Sequence, residues 1–190
     1  MNWNEYLKMS EKTLSYSFFT DEKTQVLLHG IIGIITELEE LIEWKSDIVG
    51  KSEEIADVFW YLAIFSREYN IDFNYYKKEL TFLDKVKHTI FKQKLSSKVI
   101  LNMYKESSLV LDMYKKKLFY NKEINEQKLV EHIKTLFKLS SEYCLINNID
   151  ISVSLDRNIS KLKQRYGDKF STEKAINRNL DKERDILEGK

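Results

Sequence analysis

The chain has 190 residues, 43% hydrophobic and 13% aromatic, with 31 Lys and Arg against 30 Asp and Glu for a formal net charge of +1. This composition predicts a compact body with a buried core, near-neutrality removes the broad basic field that holds a nucleic-acid backbone, and the single Cys144 excludes an internal disulfide or a multi-cysteine zinc site. No apolar run approaches the ~20 residues that span a bilayer, and the polar start Met1-Asn2-Trp3-Asn4-Glu5 lacks a signal-peptide core, so a soluble, unprocessed, cytoplasmic protein is expected.

The chain contains no proline. The strongest helix breaker is thus missing from a sequence rich in Lys, Glu, Leu and Ile, which predicts an all-α fold. Eight helices are predicted, over 3–18, 22–48, 52–69, 73–94, 97–119, 126–147, 153–166 and 172–187. Helical spacing is clearest for Ile31, Ile34, Leu38, Leu41 and Ile42, for Ile55, Val58, Phe59, Leu62 and Phe65, and for Leu129, Ile133, Leu136 and Phe137. Ser52 and Ser171 are the expected N-caps. Gly50 and Gly167 are expected where connections turn. Gly30 and Gly33 fall inside the second helix, where a glycine costs about 1 kcal/mol relative to alanine and needs a packing reason.

Laid on itself, the chain shows a faint repeat. Ile55, Val58, Phe59 and Asn70-Ile71-Asp72 match Ile133, Leu136, Phe137 and Asn148-Ile149-Asp150, all displaced by 78 residues. Upstream, Glu37-x-x-Glu40-Leu41-Ile42-Glu43 overlays Glu106-x-x-Leu109-Val110-Leu111-Asp112 at a displacement of 69. Two duplicated helix pairs would make one four-helix core, although any two amphipathic helices align in a similar way.

Two carboxylate pairs stand on consecutive predicted helices, Glu37 with Glu40 and Glu54 with Asp57. Spacing of three puts each pair on one helical face. The sequence holds five acid pairs at this spacing, no more than its composition yields by chance, so the setting of these two decides their meaning. The helix carrying Glu54 and Asp57 continues as Val58-Phe59-Trp60-Tyr61-Leu62-Ala63-Ile64-Phe65, apolar all round and hence expected to be buried. The acid-bearing side of its partner carries Gly30 and Gly33 before the acids and Trp44 after them. Enclosed carboxylates are costly without counter-charge, and oxygen-only ligation suits Mg²⁺ or Mn²⁺.

The runs Gly33-Ile34-Ile35-Thr36-Glu37-Leu38-Glu39-Glu40-Leu41 and Glu54-Ile55-Ala56-Asp57-Val58-Phe59-Trp60-Tyr61-Leu62-Ala63, with 13 residues between Glu40 and Glu54, resemble the E-x-x-E and E-x-x-D motifs of MazG-type all-α nucleoside triphosphate pyrophosphohydrolases. The tail from Asn158 through Lys161, Arg165 and Tyr166 to Phe170 and Ala175-Ile176-Asn177-Arg178 is similar to the phosphate-side segment of bacterial and phage members, and Tyr6 and Lys12-Thr13 to their opening helix. The resemblance implies a single all-α domain over 1–190, with a four-helix-bundle core of the MazG or dimeric-dUTPase-like type built from two duplicated helix pairs plus terminal helices. Residues 1–76 would be the intact acidic repeat, and 97–190 a degraded repeat carrying the phosphate-side tail. In that second copy Leu109, His132 and Thr135 stand where the first has Glu40, Glu54 and Asp57, leaving only Glu106. One composite site per chain follows.

The activity so implied is hydrolysis of a nucleoside triphosphate, with a deoxynucleotide as the expected substrate, to the monophosphate and pyrophosphate. Glu37, Glu40, Glu54 and Asp57 would be both catalytic and metal-binding; Asn158, Lys161, Arg165, Tyr166 and Trp44 would bind the substrate. The partner is then a small-molecule nucleotide, with neither nucleic acid nor membrane, and a homodimer of pseudo-dimeric chains is the assembly that the resemblance allows. The alternative is a non-catalytic helical module, descended from such an enzyme, that binds a nucleotide or a protein. His29, His88 and His132 share no metal-ligand spacing and are expected to be packing or surface residues, as is Cys144. Lys115-Lys116-Lys117 reads as a solvated turn, and Trp60 joins Trp44 and Tyr166 as an aromatic that could stack a base or fill the core.

Overall fold

A computed structural model describes residues 1–12, 21–44, 47–73 and 92–190, with the side chains of 92–94 excepted. The described residues are all-α: α1 (Trp3–Glu11), α2 (Glu22–Glu43), α3 (Ile48–Tyr69), α4 (Lys92–Tyr120), α5 (Glu126–Asn147), α6 (Ile151–Tyr166), α7 (Thr172–Ile176) and α8 (Leu180–Glu188). Among them no helix is long and apolar enough to cross a membrane. Residues 13–18 of the first expected helix and 74–91 of the fourth, with His88, lie outside the described residues.

Side-chain caps set most of the starts. Asn2 and Glu5 form a reciprocal capping box on α1, and Asp21, Asp47, Asn125, Asp150, Ser171 and Asn179 each accept a backbone N–H of the first turn that follows. Ser171 is the expected cap; Ser52 is not. Asp47 starts α3 four residues earlier, which leaves Ser52 inside the helix with its hydroxyl 2.6 Å from that of Ser154. Gly50 therefore sits in the first turn of α3 and not in a connection, because the Trp44 ring, at the end of α2, occupies the space its side chain would need. The last expected helix is broken in two, since Asn177 ends α7 and Asn179 caps α8. Lys115, Lys116 and Lys117 lie within α4 and not in a turn, with Asp112 pairing the first two and Asp21 pairing Lys117 at 3.1 Å.

The four long helices pack as two hairpins, α2 on α3 and α4 on α5, which meet through α2 against α4 and α3 against α5. Their core is aromatic at one end. Phe73 and Phe137 stack at 4.1 Å, and the edges of Trp3 and Phe59 close on Phe137 at 5.4 and 5.3 Å. Side chains of this size contribute about 1.5–3 kcal/mol each when buried. Gly30 and Gly33 have their packing reason in this hairpin: a methyl group at Gly30 would lie 2.8 Å from the Phe65 ring, and one at Gly33 would fall on the Tyr61 ring. Glycine lets α3 lean against α2 beside the acids.

The two hairpins end alike. Asn70 and Asn148 both take the left-handed conformation, with φ 50° and 56°, and the next amides, Ile71 and Ile149, reach back to the carbonyls of Ser66 and Cys144 at 3.0 and 2.9 Å. These positions are the ones related by the 78-residue displacement. Helices α1 and α6 lie against α3, and α8 covers α6, so the carboxyl-terminal segment is brought to the acid-bearing face of the first hairpin.

Candidate metal centre

Helix α2 supplies Glu37, α3 supplies Glu54 and Asp57, and carboxylate oxygens of these three lie within 4.8 Å of one another. Glu54 is 4% exposed, and its Oε1 accepts the indole N–H of Trp44 at 2.9 Å. Glu40, one turn beyond Glu37, lines the same cavity from an exposed position. Three of the four expected acids thus converge, and the fourth stands at the rim.

Helix α6 explains how the tail reaches them. Asn158, Lys161 and Arg165, spaced by three and four, share the helix face turned to α3. The Asn158 amide donates to Asp57 Oδ1 at 2.6 Å, and the Lys161 ammonium donates to Asp57 Oδ2 at 2.6 Å and to Glu53 Oε1 at 3.1 Å. Behind Asn158, the buried Tyr6 hydroxyl lies 3.0 Å from its Oδ1 and 3.2 Å from the Ala56 carbonyl oxygen. Asn158 is 0% exposed. The expectation that it contacts substrate directly is therefore replaced by a positioning contact to Asp57.

Electrostatics follow from this enclosure. Burial, then the charges of Asp57, Glu54 and Glu40, push the Glu37 carboxyl up to about 9. Burial, then Asp57, Glu53 and Glu40, raise Glu54 to about 7. Desolvation of Lys161, which is 2% exposed, disfavours its charged form, yet the charges of Asp57 and Glu53 outweigh it and hold the ammonium protonated. Glu37 and Glu54 cannot both be ionised cheaply near neutral pH unless a further cation joins them.

The cavity in front of the acids has a volume of about 390 Å³, within the range of small-ligand sites. Glu37, Glu40, Glu53, Glu54 and Asp57 line it together with Lys161, Arg165 and Arg178. Its aromatic walls are Trp60, Tyr61, Tyr166 and Phe170, with His29 edge-on to Trp60 and Tyr61 at 6.2 and 5.5 Å. The indole of Trp44 instead packs on Gly50 and lines a separate cavity of about 580 Å³ with Leu101 and Tyr104. Tyr166, 8% exposed, and Trp60 rather than Trp44 are the candidates for a base-stacking wall. Glu53 went unread because it adjoins Glu54 and looks like a solvated neighbour; its pairing with Lys161, 108 positions away, has no local signal.

In the second hairpin the equivalents of Glu37 and Glu54 are Glu106 and His132, whose Oε2 and Nδ1 lie 2.6 Å apart. Thr135 turns its hydroxyl to the Glu131 carbonyl at 2.9 Å, and Leu109 is exposed. Among the described residues, the one group of three acids with metal-ligand proximity is that of the first hairpin. No family model matches the chain, and no curated protein or solved structure matches it either, so the functional reading rests on the geometry of this cavity.

Proposed function

We propose that the protein is a metal-dependent hydrolase that cleaves a nucleoside triphosphate, with a deoxynucleotide as the expected substrate, to the monophosphate and pyrophosphate. The observation that carries this reading is the pairing, across one cavity, of three enclosed carboxylates from α2 and α3 with basic side chains from the carboxyl-terminal segment. The donor set fits a hard divalent cation, being all oxygen and short of positive charge. Glu37, Glu54 and Asp57, with Glu40 at the rim, would hold Mg²⁺ or Mn²⁺, whose chemistry is to neutralise phosphate charge and polarise the bond that breaks.

The chain's own groups supply the rest. Arg165 and Arg178 face the cavity as planar donors suited to phosphate oxygens, while Lys161 balances Asp57 and Glu53 from behind. A carboxylate of the cluster takes the proton of the water that attacks the α-phosphorus, and the bond to the pyrophosphate oxygen breaks as the new P–O bond forms. Asn158 and Tyr6 hold Asp57 in place during this exchange. The two-hairpin arrangement, with its matched ends, supports a MazG-like bundle in which the second hairpin is a degenerate copy of the first.

One observation favours the non-catalytic alternative: both oxygens of Asp57 already have donors in Asn158 and Lys161. Release of pyrophosphate from a panel of (d)NTPs in Mg²⁺ separates the two. The hydrolase yields a monophosphate and pyrophosphate in equal amounts. Nucleotide binding without turnover would support the binding module, and a diphosphate with orthophosphate would move the attack to another phosphorus and overturn the proposal.

A further inference from the structure

Glu183, on α8, is a buried carboxylate paired with two arginines that line the cavity. Its side chain is 4% exposed. Oε1 accepts from Arg165 Nε at 2.9 Å and Oε2 from Arg165 Nη2 at 2.6 Å, while Oε2 also accepts from Arg178 Nη2 at 2.8 Å and Nε at 3.3 Å. Both guanidinium groups therefore meet the same carboxylate with the same edge, the one bearing Nε and Nη2. A guanidinium has five donors in a fixed plane, so each fork keeps its opposite edge, with Nη1, turned away from Glu183. Both arginines line the acid-walled cavity. Two arginines and one carboxylate leave the trio one net positive charge.

The helix that presents Glu183 is itself fastened. Leu187 is buried, and Arg184 bridges from α8 to Asp47, the cap of α3, at 3.0 Å. Lys174 of α7 donates to the Tyr166 carbonyl at 3.0 Å, which ties down the segment leading to Arg178. Like charges at this spacing would splay apart in solvent, and one buried carboxylate between them fixes their separation and orientation.

We propose that Glu183 is a positioning residue that assembles Arg165 and Arg178 into a two-armed clamp for the outer phosphate groups of the substrate. The clamp rests on the hydrolase reading for its substrate but not for its anion. Glu183 meets only the Nε and Nη2 edges of the two forks; Arg165 also shares a side-chain hydrogen bond with Tyr166, another wall of the cavity, so an incoming phosphate would take the remaining donors.

Inorganic tripolyphosphate, titrated calorimetrically with Mg²⁺ present, is the probe. Glu183→Gln should weaken its binding ten-fold or more, raise KM for the nucleotide by a similar factor and leave kcat within about three-fold. Glu183→Asp should recover part of the affinity. Arg178→Ala, at a side chain 39% exposed and so tolerant of change, should weaken binding comparably, and the double variant should lose little more than either single one, because both act on one clamp. If Glu183→Gln fails to fold, the Arg178→Ala result alone decides.

Unchanged tripolyphosphate affinity in Arg178→Ala, tighter binding in Glu183→Gln, or no binding by the wild type overturns the clamp. Pyrophosphate release with KM unmoved in both variants defeats the clamp and leaves the hydrolase standing. Tripolyphosphate binding that depends on Glu183 and Arg178, without pyrophosphate release, defeats the hydrolase and leaves the clamp.

Discussion

The two hairpins share a closure at their far ends but differ in the groups that meet between their helices. In the first, Glu37 faces Glu54 and Asp57 across α2 and α3; in the second, Glu106 faces His132 across α4 and α5 at 2.6 Å. Exchanging one carboxylate for an imidazole turns a pair that repels itself into a pair that satisfies itself. The second hairpin has its own counter-group, whereas the first relieves its repulsion either by keeping a proton on Glu37 or by taking up a cation. Lys161 supplies one positive charge, and Arg165 with Arg178, shared with Glu183, a second, set against five carboxylates along the cavity wall; the proposed divalent cation would balance what is left.

The largest effect should come from removing an acid of the first hairpin. Glu37→Gln, Glu54→Gln or Asp57→Asn should each lower turnover by about 10² or more, with the helical circular dichroism unchanged. Activity within a few-fold of wild type in all three would dissolve the distinction between the hairpins.

Next in size is the reverse exchange. His132→Glu would recreate in the second hairpin the repulsion found in the first, placing a second carboxylate against the half-buried Glu106. It should cost about 1–3 kcal/mol in urea unfolding at neutral pH. That loss should shrink below about pH 4, as carboxylates take up protons. A variant as stable as wild type at neutral pH would show that the Glu106–His132 contact is incidental.

A further effect separates the hairpins by pH alone. Glu37 and Glu54 are raised in the folded state, to about 9 and about 7, from 4.5. For a raised carboxyl the stability is fully present below the unfolded value and is lost as pH rises through the folded one. With a chelator, the melting temperature should therefore fall between about pH 4.5 and 9. Glu37→Gln should flatten the slope, and Mg²⁺ should restore the wild type. A chelated wild type whose stability is flat or rising across that window contradicts the assigned burial of the acids.

The smallest effect is expected at the corresponding positions of the second hairpin. Thr135→Ala and His132→Ala should leave turnover within a few-fold of wild type, whereas loss of activity in either would make the second hairpin a working part of the site.

The sequence revealed most of the helices, the glycine-lined approach of α3 to α2 and a convergence of acids, expected of four and found for three, because these follow from spacing on a helix face and from a long apolar run; it put a break between 94 and 97 where α4 runs on from Lys92 to Tyr120. Boundaries were less legible where two capping groups compete. Asp47 starts α3 ahead of Ser52, and the pair Asn177 and Asn179 divides what periodicity reads as one helix. The basic tail was visible, but not its division of labour. Asn158, Lys161 and Arg165 lie on one face and look equivalent, yet Asn158 and Lys161 are spent on Asp57 while Arg165 is held by Glu183. Such pairings join positions more than 100 residues apart or depend on a helix break, and no local pattern encodes them. Trp44 looked like a stacking wall because it follows the acids, and only the fold shows its ring turned onto Gly50.

The central claim is that the first hairpin holds a divalent cation and the second does not. Calorimetric titration of the folded protein with Mn²⁺, repeated on a Glu37→Gln, Asp57→Asn double variant and on His132→Ala, tests it most directly. Saturable binding in the wild type and in His132→Ala, abolished in the double variant while its circular dichroism is retained, is the predicted result. No binding by folded wild type at millimolar Mn²⁺, or binding that survives the double substitution, would contradict it.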